Sequence, residues 1–75
     1  MNKINNVLKN LKFNDREIKI YLMLIKENKS TALKIAKHTG IDRTTTYDIL
    51  NKLIIQGIVK QIIINNTKNY DITRN

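Results

Sequence analysis

Residues 31–60 have the sequence TALKIAKHTGIDRTTTYDILNKLIIQGIVK, which predicts two short helices joined by a glycine turn and followed directly by a strand. Ala36 and Gly40 lie four residues apart. This places a small residue where the helices would cross and a glycine where the chain must reverse. The arrangement is that of a helix-turn-helix. The apolar residues that would fill the wedge between its helices are Ile35, Ile41, Ile49, Leu50 and Leu53.

Polar residues mark the ends of these helices. Thr31 and Asp42 are favourable N-caps, and Gly57 ends the second helix, residues 43–56. Thr46 stands inside that helix at a position where an aliphatic residue is usual. We expect it to bury its methyl group and to donate its hydroxyl hydrogen to a carbonyl oxygen one turn back.

A further helix is predicted upstream. Asn14 and Glu17 have the spacing of a capping box, and the helix that they begin should end near Asn28. It is the most apolar helix of the chain, so we expect it to be central. The expected inward side chains are Ile18, Tyr21, Leu22 and Ile25, with Met23 and Leu24 as further candidates, and Leu33, Ile35 and Ala36 in the next helix.

After Gly57 the apolar residues change from helical to alternating spacing. Residues 58–64 are rich in β-branched side chains, and residues 69–73 alternate polar with apolar. Residues 65–68, Asn-Asn-Thr-Lys, have the composition of a turn. Together they predict a hairpin, to which Ser30 could add a third short strand.

These elements predict a winged helix-turn-helix, a fold that is mainly α with a β-hairpin. Its three core helices include the helix-turn-helix, residues 31–56, and its wing of two or three strands spans residues 58–73. A short amphipathic N-terminal helix within residues 1–12 could either cap the core or pair with a second subunit. We expect one domain, residues 1–75, too small for a sizeable ligand pocket.

The chain is strongly basic. It has 14 Lys and Arg against 6 Asp and Glu, a formal charge of +8, which favours a polyanion such as nucleic acid as partner. It has no cysteine, which excludes disulfides and thiol chemistry. Apolar runs are too short to span a membrane and no signal peptide is visible, so we expect a cytoplasmic, nucleoid-associated protein.

Leu11 to Lys60 resembles the N-terminal DNA-binding domain of the TrmB-like archaeal transcriptional regulators. Shared elements are Glu-x-x-x-Tyr, an Ile-Ala pair, Gly-Ile, a basic residue with threonines, Tyr-x-x-Leu-x-x-Leu and a Gly-hydrophobic-Val ending. Here they are Glu17 to Tyr21, Ile35-Ala36, Gly40-Ile41, Arg43-Thr44-Thr45, Tyr47 to Leu53 and Gly57-Ile58-Val59, and Tyr70 matches a common aromatic in the last strand.

The resemblance implies a winged helix that binds DNA, but it departs from the larger regulators in one respect. Those regulators carry a C-terminal sugar-binding domain, whereas this sequence stops after the wing. A sugar effector is therefore not carried over. We expect a short stand-alone form, or a regulator of an archaeal virus or plasmid.

The outward face of helix 43–56 is polar and is the surface that we expect to read bases. Arg43 could bond to O6 and N7 of guanine. Thr44 and Thr45 could bond to base edges or phosphate, and Asn51 could read adenine or bind a phosphate.

Other residues should hold the DNA backbone. Tyr47 could reach a phosphate with its hydroxyl, and Lys52 could meet the backbone directly. We expect Asp48 to pair with Arg43 or Lys52 rather than with cytosine. Further candidates are Ser30, Thr31 and Lys34 at the start of the first helix of the pair, and Lys60 and Lys68, which would flank a wing tip that could enter or skirt the minor groove.

These observations predict a sequence-specific transcriptional regulator that binds double-stranded DNA as a homodimer, without metal or cofactor. The alternative is a winged-helix protein-interaction module of a transcription or replication assembly, using Ile54, Ile55 and one face of residues 62–64. The lack of tryptophan and wing proline, with the single Phe13, argues against a binder of single strands or left-handed duplexes. His38 is the only histidine and has no catalytic constellation around it, so we predict no enzyme.

Overall fold

The computed structural model of the protein describes residues 13–73. The helix predicted within residues 1–12 lies outside this part of the chain. None of the helices in the described part has the length and apolar character needed to cross a membrane. The described elements, in chain order, are α1 (Asp15–Glu27), β1 (Ser30–Thr31), α2 (Ala32–Thr39), α3 (Arg43–Ile55), β2 (Val59–Ile64) and β3 (Thr67–Ile72).

Two reciprocal hydrogen bonds fix the start of α1. The Glu17 N–H donates to Oδ1 of Asn14 at 2.8 Å, and the Asn14 N–H donates to Oε1 of Glu17 at 2.9 Å. This confirms the predicted capping box, which satisfies amides that the first helical turn leaves without backbone partners. The helix ends with Asn28 as its C-cap, as predicted.

Gly40 makes the turn between α2 and α3. Its φ of 74° is left-handed, and its N–H donates to the carbonyl oxygen of Ala36 at 2.9 Å. Asp42 then caps α3 by accepting from the Thr45 N–H at 3.0 Å. Thr46 is fully buried, and its hydroxyl donates to the carbonyl oxygen of Asp42 at 2.9 Å. The predicted helix-turn-helix is confirmed together with its one unusual residue.

The three strands form an antiparallel sheet in the order β1-β3-β2. Ser30 pairs with Tyr70, so the short third strand is present. Asn65 and Asn66 alone connect β2 to β3, and their φ values of 51° and 64° are those of a tight hairpin turn. Residues 67–68, predicted to lie in the turn, belong to β3 instead, because two left-handed asparagines suffice to reverse the chain.

The core lies between the three helices and the inner face of the sheet. On α1, Ile20 and Leu24 are fully buried, whereas the predicted inward residue Ile25 is exposed. The buried stripe is rotated by about 100° from the predicted one, since α1 carries apolar residues on more than one side. On α2, Ala32 is buried, and Leu33 is 47% exposed instead of inward. Predicted core residues that are buried include Ile18, Leu24, Ile35, Ala36, Ile41, Ile49, Leu50 and Leu53.

Candidate nucleic-acid interface

The α3 helix has one buried and one exposed face. The apolar residues recur every three or four positions, and this confines the polar side chains to the outward side. The outward face presents a guanidinium, a hydroxyl and a carboxamide to solvent, and these are groups that can recognise base edges. The inward residues are Thr46, Ile49, Leu50 and Leu53, and the exposed ones include Arg43, Thr44, Tyr47, Asp48, Asn51 and Lys52.

The first turn of α3 is capped by the carboxylate of Asp42. The backbone N–H and the hydroxyl of Thr45 lower the pKa of the Asp42 carboxyl, and the positive charge of Arg16 lowers that pKa further, while desolvation opposes them. Thr45 therefore serves the cap, and Thr44 is the more exposed of the two predicted threonines. Sequence reasoning missed the influence of Arg16 on Asp42, because Arg16 belongs to α1 and is far from Asp42 in the sequence.

Lys52 has a different partner from the one that the sequence predicted. Its Nζ lies 2.7 Å from Oε2 of Glu17, whose side chain is only 2% exposed. Among residues 13–73, Asp48 forms no ion pair with Arg43 or Lys52, so that predicted pairing is wrong. Glu17 takes the lysine because a buried carboxylate needs a charged partner, whereas Asp48 is exposed to water.

Three residues at the start of α2 were predicted to bind phosphate, and two of them, Thr31 and Lys34, remain candidates in the structure. Oγ1 of Thr31 accepts from the Lys34 N–H at 3.2 Å, and Nζ of Lys34 lies 3.7 Å from Oε1 of Glu27. Exposed ion pairs of this kind contribute little, so Lys34 can exchange its carboxylate for a phosphate. Ser30 is 2% exposed and its hydroxyl donates to the carbonyl oxygen of Asn28, which removes it from the contact candidates.

An open groove of 360 Å³ lies between the helix-turn-helix and the tip of the wing. Its walls include the exposed side chains of Leu33 and Tyr47. Burial raises the pKa of Tyr70, and the electrostatic influence of Tyr47 raises it further. Lys68 adds a positive charge at the groove. The complete lining is Thr31, Ala32, Leu33, Tyr47, Asn66, Thr67 and Lys68.

The two lysines predicted to flank the wing tip lie on opposite faces of the hairpin. Lys68 pairs with Ile63 near the turn, whereas Lys60 pairs with Asp71 toward the other end of β2. Side chains alternate along a strand, and Tyr70 is buried, so Lys68 lies on the inner face and Lys60 on the outer face. The structure thus places only Lys68 beside the tip.

The sequence profile described as "Sugar-specific transcriptional regulator TrmB" matches residues 8–74. The chain belongs to the TrmB family. This match confirms the predicted resemblance at the level of a transcriptional-regulator family with a DNA-binding winged helix. The stand-alone short form remains a prediction.

Two relatives, one bacterial and one archaeal, match this chain over part of their length. The uncharacterized protein YrhO of Bacillus subtilis is 41% identical over 54 residues, which cover 72% of this chain and 20% of that protein. The uncharacterized protein MJ1623 of Methanocaldococcus jannaschii is 40% identical over 55 residues, covering 73% and 10%. The chain therefore spans a fifth or less of their lengths, and the relatives include a bacterial as well as an archaeal protein.

Solved winged-helix structures superpose closely on this chain. The Zalpha domain of Carassius auratus PKZ, determined in complex with Z-DNA, is 31% identical with a TM-score of 0.72, covering 77% of this chain and 92% of that one. A MarR family transcriptional regulator from Silicibacter pomeroyi is 17% identical with a TM-score of 0.83, covering 97% and 51%. The reduced form of MarR from E. coli is 18% identical with a TM-score of 0.82, covering 92% and 53%. The MarR likenesses show the fold alone, and that fold is the predicted winged helix.

Proposed function

We propose that this chain is a sequence-specific transcriptional regulator that binds double-stranded DNA, with α3 in the major groove and the wing on the backbone or in the minor groove. The observation that carries the proposal is the outward face of α3, where Arg43, Thr44 and Asn51 are exposed. Tyr47 of the same helix lines the groove that ends at the wing. A major groove admits one helix, and its base edges are recognised by these chemical groups.

Arg43 and Asn51 carry the base reading in this proposal. Arg43 is in the first turn of α3, the part of a recognition helix that enters the groove deepest, and its fork of donors suits guanine. Asn51 is exposed two turns later and suits adenine. Thr44 supplies a hydroxyl and a methyl group between them, while Thr45 supports the cap.

The backbone contacts come from both sides of the groove. Thr31 and Lys34 approach one phosphate at the start of α2, and the exposed side chain of Tyr47 offers its hydroxyl from α3. Lys68 approaches from the wing, and its charge adds to the formal +8 of the chain. Lys60 is farther from the turn and on the outer wing face, so it is less well placed than Lys68 for this contact.

In this proposal residues 1–75 form a single winged-helix domain. Two copies of it associate as a homodimer, and the protein works in the cytoplasm. Two copies would present two α3 helices to half-sites about one helical turn apart. Ile55 is 85% exposed at the end of α3 and supplies one candidate for the seam, and the N-terminal residues 1–12 supply the other. Deleting residues 1–10 and measuring mass by sedimentation separates them, because a monomer then assigns the seam to the N-terminal segment.

The salt dependence of binding to random duplex DNA tests the proposal. Each phosphate that a lysine or arginine neutralises adds roughly 0.9 to the slope of log K against log salt. Several contacts per subunit predict a steep slope, and Lys68→Met should reduce it by about one. A flat slope would contradict DNA binding and favour the protein-interaction module, with Ile55 as its exposed anchor.

Binding to a left-handed duplex is the second candidate function, and the 31% identity to a Zalpha domain solved with Z-DNA favours it. The wing tip here is Asn65-Asn66-Thr67, without a proline or aromatic residue to stack on a base. We therefore expect the circular dichroism spectrum of an alternating dC–dG duplex to keep its right-handed form when the protein is added. Inversion of that spectrum would replace the first candidate with the second.

A further inference from the structure

Glu17 is a carboxylate that has been withdrawn from water at the start of α1. Its side chain is 2% exposed, and both of its oxygens are used. Oε1 accepts from the Asn14 N–H at 2.9 Å, and Oε2 lies 2.7 Å from Nζ of Lys52. A capping box needs only the first of these contacts. The second contact neutralises a buried charge that would otherwise be costly.

Lys52 belongs to α3, and its side chain is half-exposed. It follows Asn51 directly, on the helix that carries the reading face. The α1 helix packs mainly on α2 and β3, whereas α3 packs mainly on α2 and β2. The ion pair is therefore a direct link between two helices that otherwise share mainly their common neighbour α2. Such a contact resists rotation of α3 about its axis, and a rotation of that kind would move the side chains of Asn51 and Arg43.

We propose that Lys52 is a positioning residue: its ammonium group serves as the counter-charge of Glu17 and sets the orientation of α3, instead of binding a DNA phosphate. This inference rests on the proposed function, because orientation matters only if α3 reads bases. The carboxylate of Glu17 already neutralises the charge of Lys52, so Lys52 adds nothing to counterion release on DNA binding. Without Lys52 the buried carboxylate has no charged partner, and α3 loses the contact that holds its rotation.

Three variants and one control test the assignment. Lys52→Met removes the ammonium but keeps most of the aliphatic chain. Glu17→Gln removes the buried charge and keeps an oxygen for the Asn14 N–H, because glutamine also completes a capping box. The third variant combines both substitutions. Lys68→Met is the matched control, since it removes an exposed lysine of the wing that is proposed to contact phosphate.

The first readout is thermal melting of the free protein. We expect Lys52→Met to melt well below the parent chain and the double variant to melt above Lys52→Met, because no unpaired charge is left in the core. If the double variant melts at the same temperature as Lys52→Met or at a lower one, Lys52 is not the counter-charge of Glu17. This measurement does not involve DNA, so it stands whether or not the proposed function holds.

The second readout is DNA binding, on a site selected from a random duplex library and on random duplex. We expect Lys52→Met to leave the salt slope of the parent unchanged and to reduce the ratio of specific to random affinity at least fivefold. Lys68→Met should lower the slope by about one and leave the ratio unchanged. A slope that falls by one for Lys52→Met, or equal losses on both duplexes, would overturn the positioning role. A flat slope for the parent chain would instead overturn the proposed function.

Discussion

The α3 helix and the wing are held to the rest of the protein in different ways. α3 is capped by Asp42, seated on the fully buried Leu50 and Leu53, and linked to α1 through an ion pair. The wing is anchored at its base, where Tyr70 is buried, while Ile63 nearer the tip is 57% exposed. Groups that discriminate bases need a fixed position, whereas charges that follow a phosphate backbone tolerate movement. The firmly held element is the one that carries the proposed base readers.

The largest expected difference between these regions is in their contribution to stability. Leu50→Ala should lower the free energy of unfolding by about 2–5 kcal/mol, because it leaves a cavity in the core. Ile63→Ala should change that free energy by no more than about 0.5 kcal/mol, since the side chain is mostly exposed. Urea unfolding measures both. Similar losses would mean that the wing is as firmly packed as α3.

The two regions should also differ in how they affect DNA binding. Arg43→Ala should cost about 1–3 kcal/mol on the selected site and relax the preference at one base pair. Lys68→Ala should weaken binding to every duplex by a similar factor. Fluorescence anisotropy on selected and random duplexes provides the comparison. If Arg43→Ala weakens binding to both duplexes equally, Arg43 contacts phosphate only. The proposed difference between a base-reading α3 and a backbone-binding wing would then be wrong.

Substitutions in the turns of the two regions should have smaller and different effects on stability. Gly40 has a φ of 74°, and a Cβ added there would meet no atom of the surrounding structure within 4 Å. The cost of Gly40→Val is therefore conformational and should exceed about 1 kcal/mol. Gly40→Asn is the control, because asparagine tolerates the left-handed region. In the wing, Asn66→Gly should be neutral or slightly stabilising, since glycine suits its φ of 64°. An unchanged melting temperature for Gly40→Val would contradict the need for a glycine in the turn.

Features that depend on neighbours in sequence could be predicted. The capping box of Asn14 and Glu17, the left-handed Gly40 and the hydroxyl bond of Thr46 each involve groups within four residues of one another. Local chemistry therefore specifies them almost completely. The extended link at Ser30 is local in the same sense, whereas its pairing with Tyr70 joins residues far apart in the sequence, so the third strand could be suggested but not specified.

Features that depend on tertiary packing could not be predicted in the same way. Glu17 and Lys52 are far apart in the sequence, and nothing local shows that a capping residue also binds a lysine of α3. The α1 helix has several apolar faces, so its periodicity alone does not show which face is buried. Packing against the other elements buries Ile20 and leaves Ile25 exposed. The faces of Lys60 and Lys68 depended on the exact number of turn residues, because a shift of one position reverses every side chain in a strand.

The position of β2 has a consequence for how the protein behaves in solution. Within residues 13–73, β2 pairs with β3 alone, so it is an edge strand, and it carries Ile62, Ile63 and Ile64 in succession. Edges of this kind can add a strand from another molecule and seed aggregation. Mutual repulsion between chains of formal charge +8 opposes such contacts at low ionic strength. Salt weakens that repulsion, so the conditions that release the protein from DNA are also those in which it is most prone to aggregate.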